Sequence, residues 1–595
     1  MGRAFSEVIT AELQNIPGQY AIPSRQIHAI DASFGPRPVA APGISAERVA
    51  ALASGATRIV YGQYAIRNGT LEARVTLEDV RKGKITSLDT VTAPVADLLP
   101  AASAMAKQIS PTITPYGTRN PQVLQAHIEA FENLDAPQVA DELQRAIALD
   151  PNFGPPYRQL AQLKVKQGDL DGALALLDRA LARGNSIGGA ERARIQLEAA
   201  ALRNDSAARL QALAALAKAD PNDPQTWHDL ATAAMVTHQY PQAVEAYRKS
   251  VAIRPDDPQE WNQLGYAAAY AGDLATATSA LTTYQKLQPS SPNPLDSLGD
   301  INLIAGRLPE AESYYKQAAK LNPAFFAGLD FMKAAMARLM TGDMPGADAL
   351  AGQFFNGRAA AKDPWLDYRK AQWQWTSGRR KDAARQLEKV AADSTGTSRD
   401  IASRAYAELA VWDGMLGNRD AGAQMAQKAT ALATPSSATE AVLARFLTQP
   451  AASPAEWEAR VAKIAPTPAQ APVRDVAMAY ALLLDKQFAA ALPVLQRIYD
   501  SGNPNTDSGL PVLLAWANLE TGHVPEAAAL LRSNPVLGDN GLSWSTPFYF
   551  PRIFYLRAMV DQKQGNAEQA RQNLKLFGQL SGSDPLEWGE EQKAK

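Results

Sequence analysis

The chain has 595 residues, 46% of them hydrophobic, which is more than one core of ordinary size holds, so several domains or a repeat array are expected. Acidic and basic residues nearly cancel, at a formal net charge of −2, which excludes the strong basic bias of a nucleic-acid-binding protein. The absence of cysteine excludes disulfides, thiolate zinc sites and a cysteine nucleophile.

Residues 1–110 predict a small α/β domain. The segments 58–67 and 70–80 read as two strands joined by Asn68-Gly69, which is a type I′ turn signal, and 84–93 reads as a third strand. Pairing Ile66 with Leu71 gives the hairpin one apolar face, with the further pairs Tyr64 and Ala73, Gly62 and Val75, and Val60 and Leu77. Helices are expected at 3–15, 45–54 and 95–109, where they would cover this face.

The element order of this domain is helix, short strand near 20–22, helix, three antiparallel strands and helix. This order resembles the TolB amino-terminal-like (FlgO-like) domain. In that family a further strand precedes the first helix, whereas this chain begins at that helix. The resemblance therefore implies an open sheet edge, which we expect to be filled by a strand of a neighbouring molecule or capped by the loop 32–44.

After a linker at 111–120, the sequence repeats with a period of 34 residues. The equivalent positions are Trp227, Trp261 and Leu295; Leu230, Leu264 and Leu298; Ala231, Gly265 and Gly299; Ala243, Ala277 and Ala311; and Pro255, Pro289 and Pro323. This pattern resembles the tetratricopeptide repeat, W-x2-L-G-x2-Y followed by A-x3-F and P. Small residues at Gly265 and Ala277 predict that the two helices of a pair approach closely, and Gly272-Asp273 predicts the turn between them.

The period continues on both sides of this region. Turns between paired helices are expected at Gly168, Gly342, Gly378, Gly417, Gly522 and Gly565. Residues 121–580 would then hold about thirteen helix pairs, followed by a tail at 581–595. The predicted fold class is mainly α: a right-handed tetratricopeptide α-solenoid with a small N-terminal α/β domain whose sheet has three to four strands.

No catalytic constellation in the sequence meets its geometric test. Gly184 to Gly188 spells G-x-S-x-G but follows a predicted helix, and Ser313 to Lys316 spells S-x-x-K inside a repeat helix. The five histidines form neither an H-x3-H pair nor an HExxH motif. We therefore predict no enzyme, no cofactor and no metal site.

Binding residues are expected on the first helix of each pair, because in the tetratricopeptide family these helices line a concave groove. Carried over position by position, the groove candidates are Arg158, Gln162, His228, Thr232, Asn262, Tyr266, Tyr270, Asp296 and Asp300. Their mixture of polar and aromatic side chains suits a peptide or protein segment.

Two aromatic clusters stand out. We expect Trp365, Tyr368, Trp373 and Trp375 to pack between helix pairs, with ligand binding as the alternative. The C-terminal cluster consists of Trp544, Phe548, Tyr549, Phe550, Phe554 and Tyr555. If exposed, the C-terminal cluster would mark a partner site.

A head of this type followed by tetratricopeptide repeats resembles the sensory half of bacterial transmembrane serine/threonine kinases and CadC-like regulators. The resemblance implies a non-catalytic scaffold that binds a protein or peptide segment, in the bacterial periplasm or outside the cell rather than in the cytoplasm. The alternatives are a structural subunit that self-assembles into a filament or ring, through the sheet edge of the head or through the aromatic C-terminal cluster, and an unrecognised enzyme. No stretch approaches 18 uninterrupted apolar residues, so no membrane span is predicted.

Overall fold

The computed structural model describes residues 2–14, 16, 19–33, 46–448, 453–464, 471–501, 509–538 and 541–582. The chain forms two compact units, the first made of Met1–Ala234 with Glu245–Arg254 and the second of Met235–Val244 with Pro255–Lys595. The predicted fold class is confirmed: consecutive helix pairs make up most of the chain, and one small antiparallel sheet lies near its N-terminus. Among the described helices, none combines the length and the apolar character needed to cross a membrane.

The described residues of the N-terminal domain form four α-helices and four strands. The helices are α1 (Gly2–Leu13), α2 (Ser24–Ser33), α3 (Ala46–Ala53) and α4 (Leu98–Ile109). The strands are β1 (Arg58–Arg67), β2 (Thr70–Asp79), β3 (Lys84–Ser87) and β4 (Val91–Pro94).

The helices that follow are arranged mostly as antiparallel neighbours along the chain. They begin with α5 (Pro121–Glu132), α6 (Val139–Leu149), α7 (Pro155–Lys166), α8 (Leu170–Leu181), α9 (Gly189–Leu202), α10 (Ser206–Ala219), α11 (Pro224–Val236), α12 (Tyr240–Ile253), α13 (Pro258–Tyr270), α14 (Leu274–Leu287), α15 (Asn293–Ile304) and α16 (Leu308–Leu321). They continue with α17 (Leu329–Leu339), α18 (Met344–Ala360), α19 (Leu366–Thr376), α20 (Arg380–Ser394), α21 (Arg399–Met415), α22 (Arg419–Leu432), α23 (Ala438–Leu447) and α24 (Pro454–Ile464). The last are α25 (Ala471–Leu484), α26 (Phe488–Ser501), α27 (Leu510–Glu520), α28 (Val524–Leu530), α29 (Thr546–Tyr549), α30 (Arg552–Gln564) and α31 (Ala567–Ser581).

The sheet has β2 at its centre, flanked by β1 on one side and by β3 and β4 on the other. The predicted hairpin register is confirmed, since Ile66 lies opposite Leu71 and Tyr64 opposite Ala73. The predicted third strand at 84–93 is instead two short strands, because β3 pairs with the end of β2 and β4 pairs with its beginning.

The apolar face of the hairpin is covered unevenly. Leu71, Ala73 and Val75 of β2 are buried in a core shared with α1 and α4. On β1, however, Tyr64 and Ile66 are each 48% exposed. The helices therefore cover the central strand and leave part of the edge strand uncovered.

The prediction of a short strand near 20–22 is wrong. Residues 19–23 have no regular secondary structure, and they lead directly into α2, which the sequence did not predict. Pro23 lies directly before this helix, and its carbonyl accepts a hydrogen bond from the Gln26 N–H at 2.9 Å. Proline is favoured at helix starts because its fixed φ matches the helix and its missing N–H is not needed there. The segment 34–44, expected as a capping loop, lies outside the described residues.

Some turns between paired helices combine a glycine and a capping aspartate. Gly272 adopts a φ of +81°, in the left-handed region where glycine ends a helix without steric cost. The next residue, Asp273, accepts a hydrogen bond from the Thr276 N–H at 3.0 Å and so caps the start of α14. The same arrangement recurs at Asp343, which caps α18 through the Gly346 N–H at 3.0 Å.

The close approach expected at the small positions is confirmed. A Cβ atom added to Gly265 would lie 2.6 Å from the Leu281 side chain, and one added to Gly299 would lie 2.4 Å from the Tyr315 ring. Ala277, at the facing position of the same pair as Gly265, is fully buried. These helices therefore pack at a distance that a larger side chain would prevent.

One segment of the second unit departs from a simple stack of helix pairs. Between α28 and α29 the described residues 531–538 and 541–545 form no helix, and this segment packs on the first helices α15 and α17. Asn534 donates hydrogen bonds to the carbonyls of Leu303, from its side chain at 2.9 Å, and of Ile304, from its backbone at 3.3 Å. Every residue from Pro294 to Ile304 is buried.

Candidate functional site

Two of the predicted groove residues, Arg158 and Gln162, lie in the first unit and are held by the same carboxylate. The Arg158 guanidinium donates to Glu198 at 2.7 and 2.8 Å and to Glu191 at 3.4 Å. The Gln162 amide donates to Glu198 at 3.1 Å. These contacts tie α7 to α9.

His228 and Thr232, also predicted to line the groove, lie one turn apart on α11. Both contact Tyr247: the His228 ring meets the tyrosine ring edge-on at 6.0 Å between centroids, and the two hydroxyl oxygens of Thr232 and Tyr247 are 3.2 Å apart. Both residues therefore contribute to packing within this helix pair.

Asp296 and Asp300, in the second unit, are buried and paired. The Lys333 ammonium lies 2.7 Å from Asp296 and 3.1 Å from Asp300. The hydroxyls of Tyr266 and Tyr315 donate to Asp300, each at 2.7 Å. These carboxylates form an internal network between α13, α15 and α17 instead of an open lining.

A third carboxylate, Asp330, belongs to the same interior region. It is 2% exposed, and burial, together with the Asp296 carboxylate beside it, raises the pKa of Asp330 to about 9. Asp330 therefore carries its proton at neutral pH.

The remaining predicted groove residues differ from each other in exposure. Asn262 is buried, whereas Tyr270 is 37% exposed and stacks on Tyr240 with ring centroids 5.4 Å apart.

A C-terminal segment of the chain packs against the residues of this network. Leu303, Lys333 and Met336 meet Leu537 and Phe550 around a residual void of only about 10 Å³. The C-terminal aromatic cluster would have marked a partner site if it were exposed, but five of its members are buried, and Tyr549 and Phe550 line this void. The buried members are Phe548, Tyr549, Phe550, Phe554 and Tyr555.

An open cleft of about 480 Å³ lies elsewhere in the second unit, on the helices α19, α21 and α23. The side chains that define its chemistry are Trp365, Tyr368, Gln372, Asp400, Arg404, Glu408, Glu440 and Trp544. Sites of this size, in which aromatic walls surround a few polar groups, are typical for small molecules and single side chains.

The helical period brings these residues together. Tyr368 and Gln372 on α19 are four residues apart, as are Arg404 and Glu408 on α21, so each pair shares one face of its helix. The three helices are successive neighbours, and the segment containing Trp544 closes one side of the cleft. The site therefore needs both the regular repeats and the irregular C-terminal segment.

Glu408 lies at the floor of the cleft and is 2% exposed. Its carboxylate accepts hydrogen bonds from the Tyr368 hydroxyl and from the Gln372 amide, the latter at 3.0 and 3.2 Å. Burial raises the pKa of Glu408 to about 7, although both hydrogen bonds act to lower it. Among the described residues, no cationic side chain forms an ion pair with this carboxylate.

The rim of the cleft carries a matched set of charges. Arg404 pairs with Glu440 and, at 3.6 Å, with Asp400, and its guanidinium carbon lies 6.0 Å from the centre of the Trp365 ring. Trp365 in turn meets Tyr368 edge-on at 5.4 Å. Arg369 also lines the cleft, with its guanidinium 3.2 Å from the Asp363 carboxylate. The charges of Arg369 and Arg404 therefore balance those of Asp400 and Glu440 at the rim.

The aromatic cluster identified from sequence divides into two parts. Trp375 stacks on Trp412 with centroids 4.3 Å apart, and Trp373 is 3% exposed, so these two residues pack as expected. Trp365 and Tyr368 instead line the cleft. Sequence reasoning missed Glu408, because a single carboxylate on a long helix has no local signature.

No family model matches the chain, and no curated protein matches it either. Similar solved structures include YrrB, described as a TPR protein with an unusual peptide-binding site, at 19% identity over 31% of this chain and 94% of YrrB, with a TM-score of 0.27. MamA is 19% identical over 29% of this chain and 95% of MamA, with a TM-score of 0.25. The C-terminal part of a TPR repeat-containing protein from Cytophaga hutchinsonii is 16% identical over 39% and 94%, with a TM-score of 0.31. These likenesses concern only the fold of the helix pairs.

Proposed function

We propose that this chain is a non-catalytic scaffold that binds an extended peptide or protein segment in the cleft of α19, α21 and α23. The observation that carries the proposal is the open cleft of about 480 Å³ on three neighbouring helices, bounded by tryptophan and by polar groups. Large aromatic side chains are the usual anchors of peptide recognition, because they offer contact area at little entropic cost. By contrast, the concave surface over α15 and α17 is filled by the chain's own segment around Asn534.

An array of immobilised peptides tests this function. We expect the purified chain to bind a subset of peptides, and Trp365→Ala to weaken that binding at least about tenfold, because it removes one wall of the cleft. Trp261→Ala is the matched control, since Trp261 is also half-buried near the start of a first helix but lies on α13. Failure of every peptide to bind, or equal binding by the Trp365 variant, would contradict the proposal.

We also propose that the scaffold is the extracytoplasmic sensor part of a bacterial signalling protein. The support is the order of a small α/β head followed by helix pairs, which resembles the sensory halves described above. Fusion of alkaline phosphatase to this chain within its native gene product tests the location. Phosphatase activity is expected, because the enzyme folds only outside the reducing cytoplasm, and an inactive but stable fusion would contradict the sensor role.

The second candidate function is that of a self-assembling structural subunit, and the edge strand β1 favours it. Among the described residues β1 pairs only with β2, and its side chains Val60, Tyr64 and Ile66 are 39%, 48% and 48% exposed. Such an edge can add a strand from a second copy. Sedimentation equilibrium should then show a mass that rises with concentration, and Ile66→Lys should abolish the rise while Ala65→Lys, on the opposite face, has a smaller effect. A concentration-independent monomer would exclude this candidate.

A further inference from the structure

The floor of the cleft differs from two other carboxylate sites of the second unit, in which a cation pairs with the carboxylate. Asp300 has the Lys333 ammonium at 3.1 Å, and Asp363 has the Arg358 guanidinium at 2.7 Å. Glu408 is just as deeply buried, but its two hydrogen-bond donors, Tyr368 and Gln372, are neutral. A buried carboxylate without a cation is costly, so a cation supplied from outside would be stabilised there.

The cations already present in the cleft are engaged in other ion pairs. Arg404 is held at the rim by Asp400 and Glu440, and Arg369 pairs with Asp363 at 3.2 Å. The rim charges therefore balance, and among the described residues no cation pairs with the Glu408 carboxylate at the floor.

The walls of the cleft suit a long cationic side chain. The indole rings of Trp365 and Trp544 line it. An aromatic face attracts a cation and also packs against the methylene groups of lysine or arginine. Arg404 already has this geometry in the folded chain, with its guanidinium 6.0 Å from the Trp365 ring centre.

We propose that the cleft recognises a lysine or arginine side chain of the bound peptide, with the cationic group against the Glu408 carboxylate and the aliphatic chain between Trp365 and Trp544. This rests on the proposed peptide-binding function and adds the chemical class of the ligand. It assigns Glu408 as the specificity-determining group and the two tryptophans as the packing surface. The raised pKa of Glu408 agrees with a site in which the compensating cation arrives with the ligand.

Titration of the full chain with short capped peptides tests the assignment. The peptides differ only at a central lysine, arginine, glutamine or glutamate, and binding is followed by tryptophan fluorescence and by calorimetry. We expect the lysine and arginine peptides to bind at least about tenfold more tightly than the glutamine peptide, and the glutamate peptide to bind most weakly. Equal affinities for all four peptides, or a preference for glutamate, would overturn the inference.

Two variants locate the preference. Glu408→Gln keeps the size of the side chain, so it should bind the glutamine peptide as the wild type does and lose the preference for lysine and arginine. Glu388→Gln is the matched control, because Glu388 is exposed on the neighbouring helix α20. The substitution therefore removes the same charge outside the cleft. Retention of the full preference by a folded Glu408→Gln variant would overturn the inference. If Glu408→Gln does not fold, Trp544→Leu decides the question. This variant should weaken the binding of the lysine and arginine peptides more than the binding of the glutamine peptide. Equal weakening of the binding of all three peptides would overturn the inference.

The outcomes separate this inference from the proposed function. If peptides without basic residues bind and their binding depends on Trp365, the recognition of a cation is refuted and the peptide-binding function is retained. Absence of binding by any peptide would refute both. Spermidine serves as a probe for a free polyamine, and tight Glu408-dependent binding of spermidine without binding of the peptides would refute a peptide as the source of the cation.

Discussion

Replacement of Gly299 by alanine should destabilise the second unit, although alanine is normally the better helix residue. The added Cβ atom would lie 2.4 Å from Cε1 and 2.5 Å from Cδ1 of Tyr315, whose ring is fully buried. That ring cannot move away freely, because its hydroxyl donates to Asp300 at 2.7 Å. Overpacking of this kind costs about 1–3 kcal/mol. A lost hydrogen bond to a charged acceptor costs about 1.5–3 kcal/mol more.

The higher helix propensity of alanine offsets about 1 kcal/mol of this cost, so the expected net loss is about 1.5 to 5 kcal/mol. Gly352→Ala on α18 is the matched control, because no described atom lies within 4 Å of its added Cβ. That variant should gain up to about 1 kcal/mol. Urea unfolding followed by circular dichroism measures both changes, and hydrogen exchange of α15 and α16 locates the first. A Gly299→Ala variant as stable as Gly352→Ala would refute the close contact between these helices.

Three further variants probe the same unit. Ala277→Leu should overpack α13 against α14 at a cost of about 1–3 kcal/mol and direct limited proteolysis to this pair, whereas a wild-type melting curve and cleavage pattern would contradict the register. Asp330 keeps its proton in the folded chain up to a pKa of about 9, while the unfolded chain loses it near the ordinary value of about 3.9, so wild-type stability should fall as pH rises between these values. Asp330→Asn should flatten this fall in urea midpoints measured from acidic to alkaline pH, and parallel curves for the two proteins would show that the group does not titrate as described. Asn534→Ala removes the donor to the Leu303 carbonyl and should cost about 1 kcal/mol and speed hydrogen exchange in α15, whereas unchanged exchange would mean that the segment does not hold that helix.

The helix pairs could be predicted because their constraints are local and recur. Gly272 ends one helix in the left-handed region, Asp273 caps the next, and Gly265 and Ala277 permit the pair to close. Each of these requirements is visible within a window of about one repeat. The hairpin register was predictable for the same reason, since the turn at Asn68-Gly69 fixes which residues pair.

The crossing of the C-terminal segment over α15 could not be predicted in this way. Asn534 and Leu303 are 231 residues apart, and no period or turn signal links them. The carried-over groove positions Asp296 and Asp300 consequently lie inside an ion-paired network. A repeat pattern identifies which helix face is turned inward, but a distant segment decides whether that face remains open.

The candidate site was only partly visible in the sequence. Trp365 and Tyr368 stood out as aromatic residues at helical spacing, which is equally typical of packing. Glu408 did not stand out, because a single carboxylate on a long helix has no local signature. Its role depends on burial and on the lack of an ion pair with a cation among the described residues, and both follow from the packing of α19, α21 and α23.

The most direct measurement is photo-crosslinking of a lysine-containing peptide that carries a photoreactive group beside the lysine, with the linked residues mapped by mass spectrometry. Crosslinks are expected on α19, α21 and α23 and at Trp544, and an excess of unlabelled lysine peptide, but not of the glutamine peptide, should prevent them. Crosslinks confined to α13, to the β1 edge or to other helices, or crosslinks that both competitors prevent equally, would contradict the binding of a basic side chain in this cleft.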